Sequence, residues 1–252
     1  MDAITLGVFL LAALVGSYVQ SVTGFAMGMI IIAVTVGGGL VEVPVITAVV
    51  SLISLANIVL ALQGHGHHLQ RRLLLWLALG LVPATGIGVL VLGVLDARSQ
   101  RTLELLLGLF IVGGSLSMML RPVPRARLSP PGACLAAGFA GGVLGGMFSA
   151  SGPVVGWFNY RQPLPVAQIR ATLLACFALT TSMRTLVVGV SGGLTADVWL
   201  LVASALPLVL LGTWCGRRFA PPLSEEALKR CAFGLLLLMG AWTALRALLG
   251  LP

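Results

Sequence analysis

Little in this sequence could dissolve it in water. Charged residues are only 9% of the 252, against 58% hydrophobic, whereas an average soluble domain is about 25% charged. An ordinary globular fold is excluded. The few acids, Asp2, Glu42, Asp96, Glu104, Asp197, Glu225 and Glu226, all fall at or near the ends of apolar segments. No carboxylate relay is evident, so proton coupling through a buried acid has weak support, although a protonatable substrate could carry the proton itself.

Histidine is confined to His65, His67 and His68, a spacing too compressed for a zinc pattern. A solvated basic loop beside Arg71 is expected there, with no metal and no other cofactor. Cys134, Cys176, Cys215 and Cys231 lie in or beside apolar runs without Cys-x-x-Cys spacing, which suits buried thiols rather than disulfides. The Met-Asp start has no basic n-region, so no cleaved signal peptide is expected, and no P-loop is present. The formal charge of +8 is spread between apolar runs rather than gathered in a patch, which argues against nucleic acid as a partner.

What the chain does have is apolar segments, most of them long enough to cross a hydrocarbon core of about 30 Å. Residues 4–20 and 25–39 flank a small-residue break, Ser21-Val22-Thr23-Gly24, and 44–63, 72–93 and 99–120 follow. Residues 121–132 are a polar linker rich in proline and arginine. The pattern then restarts with 133–147, a break at Ser149-Ala150-Ser151-Gly152-Pro153, and segments 154–160, 167–191, 196–216 and 225–249. The expected fold class is an all-α integral membrane protein: a first transmembrane repeat over 1–120, a cytoplasmic linker over 121–132 and a second transmembrane repeat over 133–252.

Residue matches support a duplication. Ser21-x-Thr23-Gly24-x-x-x-Gly28 lies over Ser149-x-Ser151-Gly152-x-x-x-Gly156 at an offset of 128; Pro83 and Gly88 match Pro207 and Gly212, and Gly108 and Gly114 match Gly234 and Gly240. Five segments per half make the repeats inverted. One side then collects Arg71, Arg72, Arg121, Arg125, Arg127, Arg161, Arg217 and Arg218, leaving Arg98 and Arg101 on the other, a cytoplasmic face by the positive-inside rule. Re-entrant hairpins that fail to complete two crossings are expected to move Arg161, Arg217 and Arg218 to the opposite side and erase that bias. The inverted arrangement of five plus five segments is therefore preferred, with both termini outside the cytoplasm.

The breaks are the candidate site, because irregular backbone at membrane depth is tolerated only where protein or a water-filled cavity satisfies it. A broken helix also presents a fresh N-terminus, whose N–H groups and positive dipole end favour an anion. Thr23, Gly24, Ser151 and Gly152 are expected to line the site, with Ser21, Gln20 and Ser149 next; the alternative for each is tight helix packing by small residues. Arg184 lies inside an apolar segment, where arginine is costly and marks function by default, although it could instead snorkel to the interface. Asn57 holds the corresponding place in the first half.

A small anionic substrate and the lipid bilayer are the expected partners, with a homodimer the one protein partner considered. The expected function is a secondary transporter working by alternating access, not an enzyme. An uncoupled channel or facilitator is the alternative within transport. An intramembrane serine hydrolase at Ser151 is the alternative outside it, disfavoured because every histidine is in the 65–68 loop.

The residues Ser21-Val22-Thr23-Gly24-Phe25-Ala26 and Gly145-Gly146-Met147-Phe148-Ser149-Ala150-Ser151-Gly152-Pro153, with Arg170-Ala171-Thr172, resemble the motifs of the TauE/SafE family of membrane permeases. The resemblance covers nearly the whole chain, though the second half lacks the full glycine triplet often seen. It implies movement of sulfite, sulfonates, sulfoacetate or similar anions across a bacterial-type inner membrane without ATP hydrolysis by the chain. It also adds Arg170 to the substrate candidates, where the residues alone suggest an arginine anchoring its helix at the cytoplasmic edge.

Overall fold

The computed structural model describes residues 2–23, 26–62, 68–120, 123–219 and 225–249. Its elements are helices: α1 (Ala3–Thr23), α2 (Met27–Gly37), α3 (Val43–Leu62), α4 (Arg71–Arg98), α5 (Gln100–Met119), α6 (Pro131–Phe148), α7 (Gly152–Tyr160), α8 (Val166–Val190), α9 (Ala196–Arg218) and α10 (Glu225–Leu249). Among the described residues, five helices, α1, α4, α6, α8 and α9, are long and apolar enough to cross a membrane. Leucines such as Leu75, Leu90, Leu186, Leu200 and Leu238 stand exposed on the outside while Phe9, Ile31, Leu77 and Phe233 are buried. Helices apolar on both faces suit lipid, not water. The chain is a multi-pass membrane protein.

The gap expected between the segments 72–93 and 99–120 is shorter than the sequence suggests. α4 continues through Asp96 to Arg98 and α5 starts at Gln100, leaving Ser99 alone between them. Ser99 explains the sharp restart, since its side chain accepts the Thr102 N–H at 3.2 Å as an N-cap.

Glycine sets the closest packing. A Cβ on Gly138, Gly142 or Gly146 of α6 would collide with the carbonyl oxygen of Leu77, Leu81 or Thr85 of α4 respectively. Both series advance by four residues, so α4 and α6 run parallel with their small faces interlocked. On the other side Gly212 and Gly216 of α9 meet Leu14 and Tyr18 of α1 in the same four-residue step, again parallel. α5 and α10 are antiparallel, with Gly108 against Ala244 and Gly240 against Ile111.

Exchanging α1–α5 for α6–α10 carries the α4/α6 contact onto α9/α1, α4/α8 onto α9/α3 and α2/α10 onto α7/α5, and returns α3/α8 and α5/α10 to themselves. The matched prolines agree, Pro83 lying inside α4 and Pro207 inside α9. So do Gly88, packed on α6, and Gly212, packed on α1; Gly234, matched to Gly108, instead faces open space.

α7 has nine residues, about 14 Å of helix, too short to cross. It doubles back along α6, with Val155 beside Gly141 and Ser151 beside Gly145, and Arg125 N–H donates to Arg161 O at 2.8 Å. The hairpin leaves by the end of the bundle at which it began. α2, with 11 residues, returns along α1 in the same way, Met27 lying against Gly16. Returning hairpins therefore do not carry Arg161 away from Arg125, contrary to the expectation for them: a long helix and its short return have the same parity as two crossings. Arg72 lies at that end too, sharing a cavity with Ser129. At the other end Arg101 donates to the Ala247 and Leu248 carbonyls and Arg246 pairs with Glu104 at 3.5 Å.

Candidate functional site

Both hairpins turn through strained backbone. Ala26, before α2, has φ 112° and Ser149, after α6, has φ 53°. Among the described residues these two alone, apart from glycines, have positive φ. Such conformations cost about 1–3 kcal/mol each and persist where the surroundings fix them. Here they bound a single cavity of about 50 Å³, lined from both halves by Gln20, Ala26, Gly28 and Met29, by Ser54 of α3, by Gly145 and Ser149–Pro153, and by Phe177, Thr180, Thr181 and Arg184 of α8.

The first helical bond of α2 is Ile30 N–H to Ala26 O, and that of α7 is Val155 N–H to Ser151 O. The N–H groups of Met27, Gly28 and Met29, and of Gly152 and Val154, therefore precede their ladders. Gln20 Oε1 accepts the Met27 N–H at 3.3 Å, so the residue chosen as a substrate ligand also caps α2. Gly28 lets the two hairpins approach, since a Cβ there would sit 3.0 Å from Val50 Cγ1 and 3.4 Å from Ser149 O. Two positive helix ends thus meet at one small space.

Arg184 is 1% exposed, which disposes of snorkelling. Its Nε donates to Gly146 O at 2.8 Å, Nη1 to Thr47 O and Ser51 Oγ at 2.8 Å each, and Nη2 to Thr47 Oγ1 at 2.7 Å. Among the described residues no carboxylate pairs with it; its charge is met only by carbonyl and hydroxyl dipoles. Ser51 Oγ is also 2.9 Å from Ser149 Oγ and 2.8 Å from Thr47 O. When Ser51 gives its one proton to Thr47 O, Ser149 must donate to Ser51. A positive charge thus stands at the cavity wall, linked through a hydroxyl to the strained end of α6.

Of the residues expected at the site, Gln20, Ser149, Ser151, Gly152 and Arg184 line the cavity. Gly24 lies outside the described residues, as does the side chain of Thr23, which ends α1. Ser21 instead donates to Tyr18 O at 2.7 Å and fills the space over Gly216 of α9. Asn57 is buried and accepts from Thr213 Oγ1 at 3.4 Å, tying α3 to α9. Arg170 is exposed near the start of α8, seven residues before Phe177, the first α8 residue at the cavity.

Thr47, Ser51, Ser54, Thr180 and Thr181 were not legible as site residues. One signal was available: the 127-residue offset between Asn57 and Arg184 also separates Ser54 from Thr181. Among the described residues no group of His, Cys, Asp or Glu could hold a metal.

The family model for the sulfite exporter TauE/SafE matches residues 8–243, which takes in both hairpins and Arg184. A Cupriavidus necator protein named "Probable sulfite/organosulfonate exporter TauE" is 43% identical over 233 residues, 92% of this chain and 91% of its own length. A Comamonas testosteroni protein named "Probable inner membrane transporter protein TsaS" is 29% identical over 171 residues, 66% of this chain and 70% of its own. No solved structure matches significantly. Because the family match runs unbroken through both halves and the first relative aligns almost end to end, this chain belongs to the TauE/SafE family.

Proposed function

We propose that the chain is a secondary transporter of a small sulfur-containing anion in the inner membrane, with two inverted halves that expose the cavity to each side in turn. The observation that carries this reading is the convergence of the α2 and α7 N-termini on a cavity whose wall holds Arg184, with no carboxylate paired to it among the described residues. Dipole ends, N–H groups and a guanidinium favour an anion, and among the described residues that line the space none is an acid. The paired helix contacts around the two hairpins support inverted halves, a design in which one site serves both faces.

A cavity of about 50 Å³ takes an oxyanion head and little more. An organosulfonate would seat its sulfonate group between the hairpins and leave its organic part outside. The names of the two relatives favour sulfite and organosulfonates over other oxyanions and the inner membrane over other locations.

The experiment is flux of sulfite and a panel of sulfonates and carboxylates in proteoliposomes, with and without a pH gradient or membrane potential. Saturable flux of a sulfur anion, lost when Ser149, Ser151 and Arg184 are all replaced by alanine in a protein that still folds, is expected. Unchanged flux in that variant would overturn the site.

A further inference from the structure

A second cavity, of about 200 Å³, lies away from the transport site at the end of the bundle where α4 and α6 begin. Its walls include Arg72, Trp76, Ser129, Pro130 and Pro131. We propose that it binds the headgroup of an anionic phospholipid, with the phosphodiester held by Arg72 and Ser129 and the acyl chains lying along α4 and α6.

The hydrogen-bond pattern of Ser129 points to an acceptor in this cavity. Its oxygen accepts from Arg125 Nη1 at 2.9 Å and from Gln162 Nε2 at 3.0 Å, and its N–H is taken by Gln162 Oε1 at 3.0 Å. With both lone pairs engaged, the hydroxyl proton is left to donate, and no acceptor among the described residues takes it. Arg72 likewise makes no hydrogen bond or ion pair among them. A guanidinium and a hydroxyl with a proton to donate, on two residues lining one cavity, suit phosphate oxygens.

The surroundings distinguish a lipid from a free anion. Arg72, Trp76 and Leu79 stand at i, i+4 and i+7 of α4, one stripe running inward from the cavity. Trp76 is half-buried, and Leu79 and Phe139 of α6 remain exposed at 53% and 49%. Phe139 lies level with Gly80, next to Leu79. A tryptophan at the mouth and apolar side chains above it match a headgroup at the interface with chains in the hydrocarbon.

The test is quantitative lipid analysis of full-length protein purified from nanodiscs of mixed phosphatidylglycerol and phosphatidylcholine, together with melting in discs of either lipid. Wild type is expected to retain phosphatidylglycerol preferentially and to melt higher in it. R72Q and S129A are expected to lose at least five-fold of the retained lipid and most of the thermal gain, while R127Q, on the same linker but outside the cavity, loses neither. Equal retention in R72Q and wild type, or no preference for the anionic lipid, overturns the proposal. So does stabilisation by inorganic phosphate alone without retained lipid, which would make this a soluble-anion site.

Discussion

Ser51 Oγ and Ser149 Oγ lie 2.9 Å apart, and this contact joins α3 to the left-handed residue that ends α6. Arg184 Nη1 reaches the same Ser51 oxygen at 2.8 Å. The guanidinium therefore acts on the second hairpin partly through a hydroxyl. Substrate held between the hairpins would feel the charge of Arg184 and the position of Ser149 together.

Replacing Ser51 by alanine should expose that dependence. Arg184 Nη1 keeps Thr47 O but loses one acceptor, and Ser149 loses its partner, a combined cost of about 1–3 kcal/mol for buried groups. Ser51→Ala is expected to lower the melting temperature and raise the substrate level needed for half-maximal flux. Adding Ser149→Ala should cost less than the two single effects summed, because one contact is removed either way; full additivity in melting and flux would show the hydroxyls act independently.

Arg184 allows a sharper comparison. Lysine keeps the charge but concentrates its donors on one nitrogen, so it cannot hold Gly146 O, Thr47 and Ser51 as the planar fork does. Arg184→Lys is expected to lose at least ten-fold in flux and to melt lower than wild type. Transported anion at one hundred times its Kd should stabilise wild type by about 2.7 kcal/mol and Arg184→Gln by clearly less, read from melting with and without the anion. Equal stabilisation would remove the arginine from the binding site.

The breaks were legible as Ser21-Val22-Thr23-Gly24 and Ser149-Ala150-Ser151-Gly152-Pro153 interruptions in apolar runs, but the short returns of α2 and α7 were not, since the charge pattern reads as favouring full crossings; glycine and proline spacing suggested the repeat. Arg184 was legible as an expense, but not its partners. Thr47 and Ser51 bond to carbonyls four residues earlier, Val43 O and Thr47 O, as hydroxyls do in any membrane helix. Only the packing of α3 against α8 turns those hydroxyls into acceptors for a guanidinium. Ser21 was misleading for the converse reason: its place in the motif says nothing about which side of α1 faces α9.

Strain at the first hairpin predicts a substitution that stabilises. Ala26 at φ 112° carries a Cβ where glycine would carry none, so Ala26→Gly should recover part of a strain of about 1–3 kcal/mol. Extra freedom of the unfolded chain offsets about 0.4–1 kcal/mol of that. A melting temperature at or above that of wild type is expected. Ala13→Gly, inside α1 with ordinary helical neighbours, should melt lower. If Ala26→Gly also melts lower, the conformation at residue 26 is not strained.

The α4/α6 seam should control transport from a distance. Gly146 allows no Cβ against Thr85 O, and its own carbonyl accepts from Arg184 Nε at 2.8 Å. A methyl group there forces α6 away from α4 and carries the Arg184 acceptor with it, three residues before Ser149. Gly146→Ala is therefore expected to abolish flux and lower the melting temperature. Gly113→Ala, on α5 with nothing within 4 Å of the new methyl, should change neither. Flux and melting of the two variants in the same vesicles decide between a hairpin held by its neighbours and one that is only spaced by them: retention of flux by Gly146→Ala would mean that the hairpin adjusts independently of the seam.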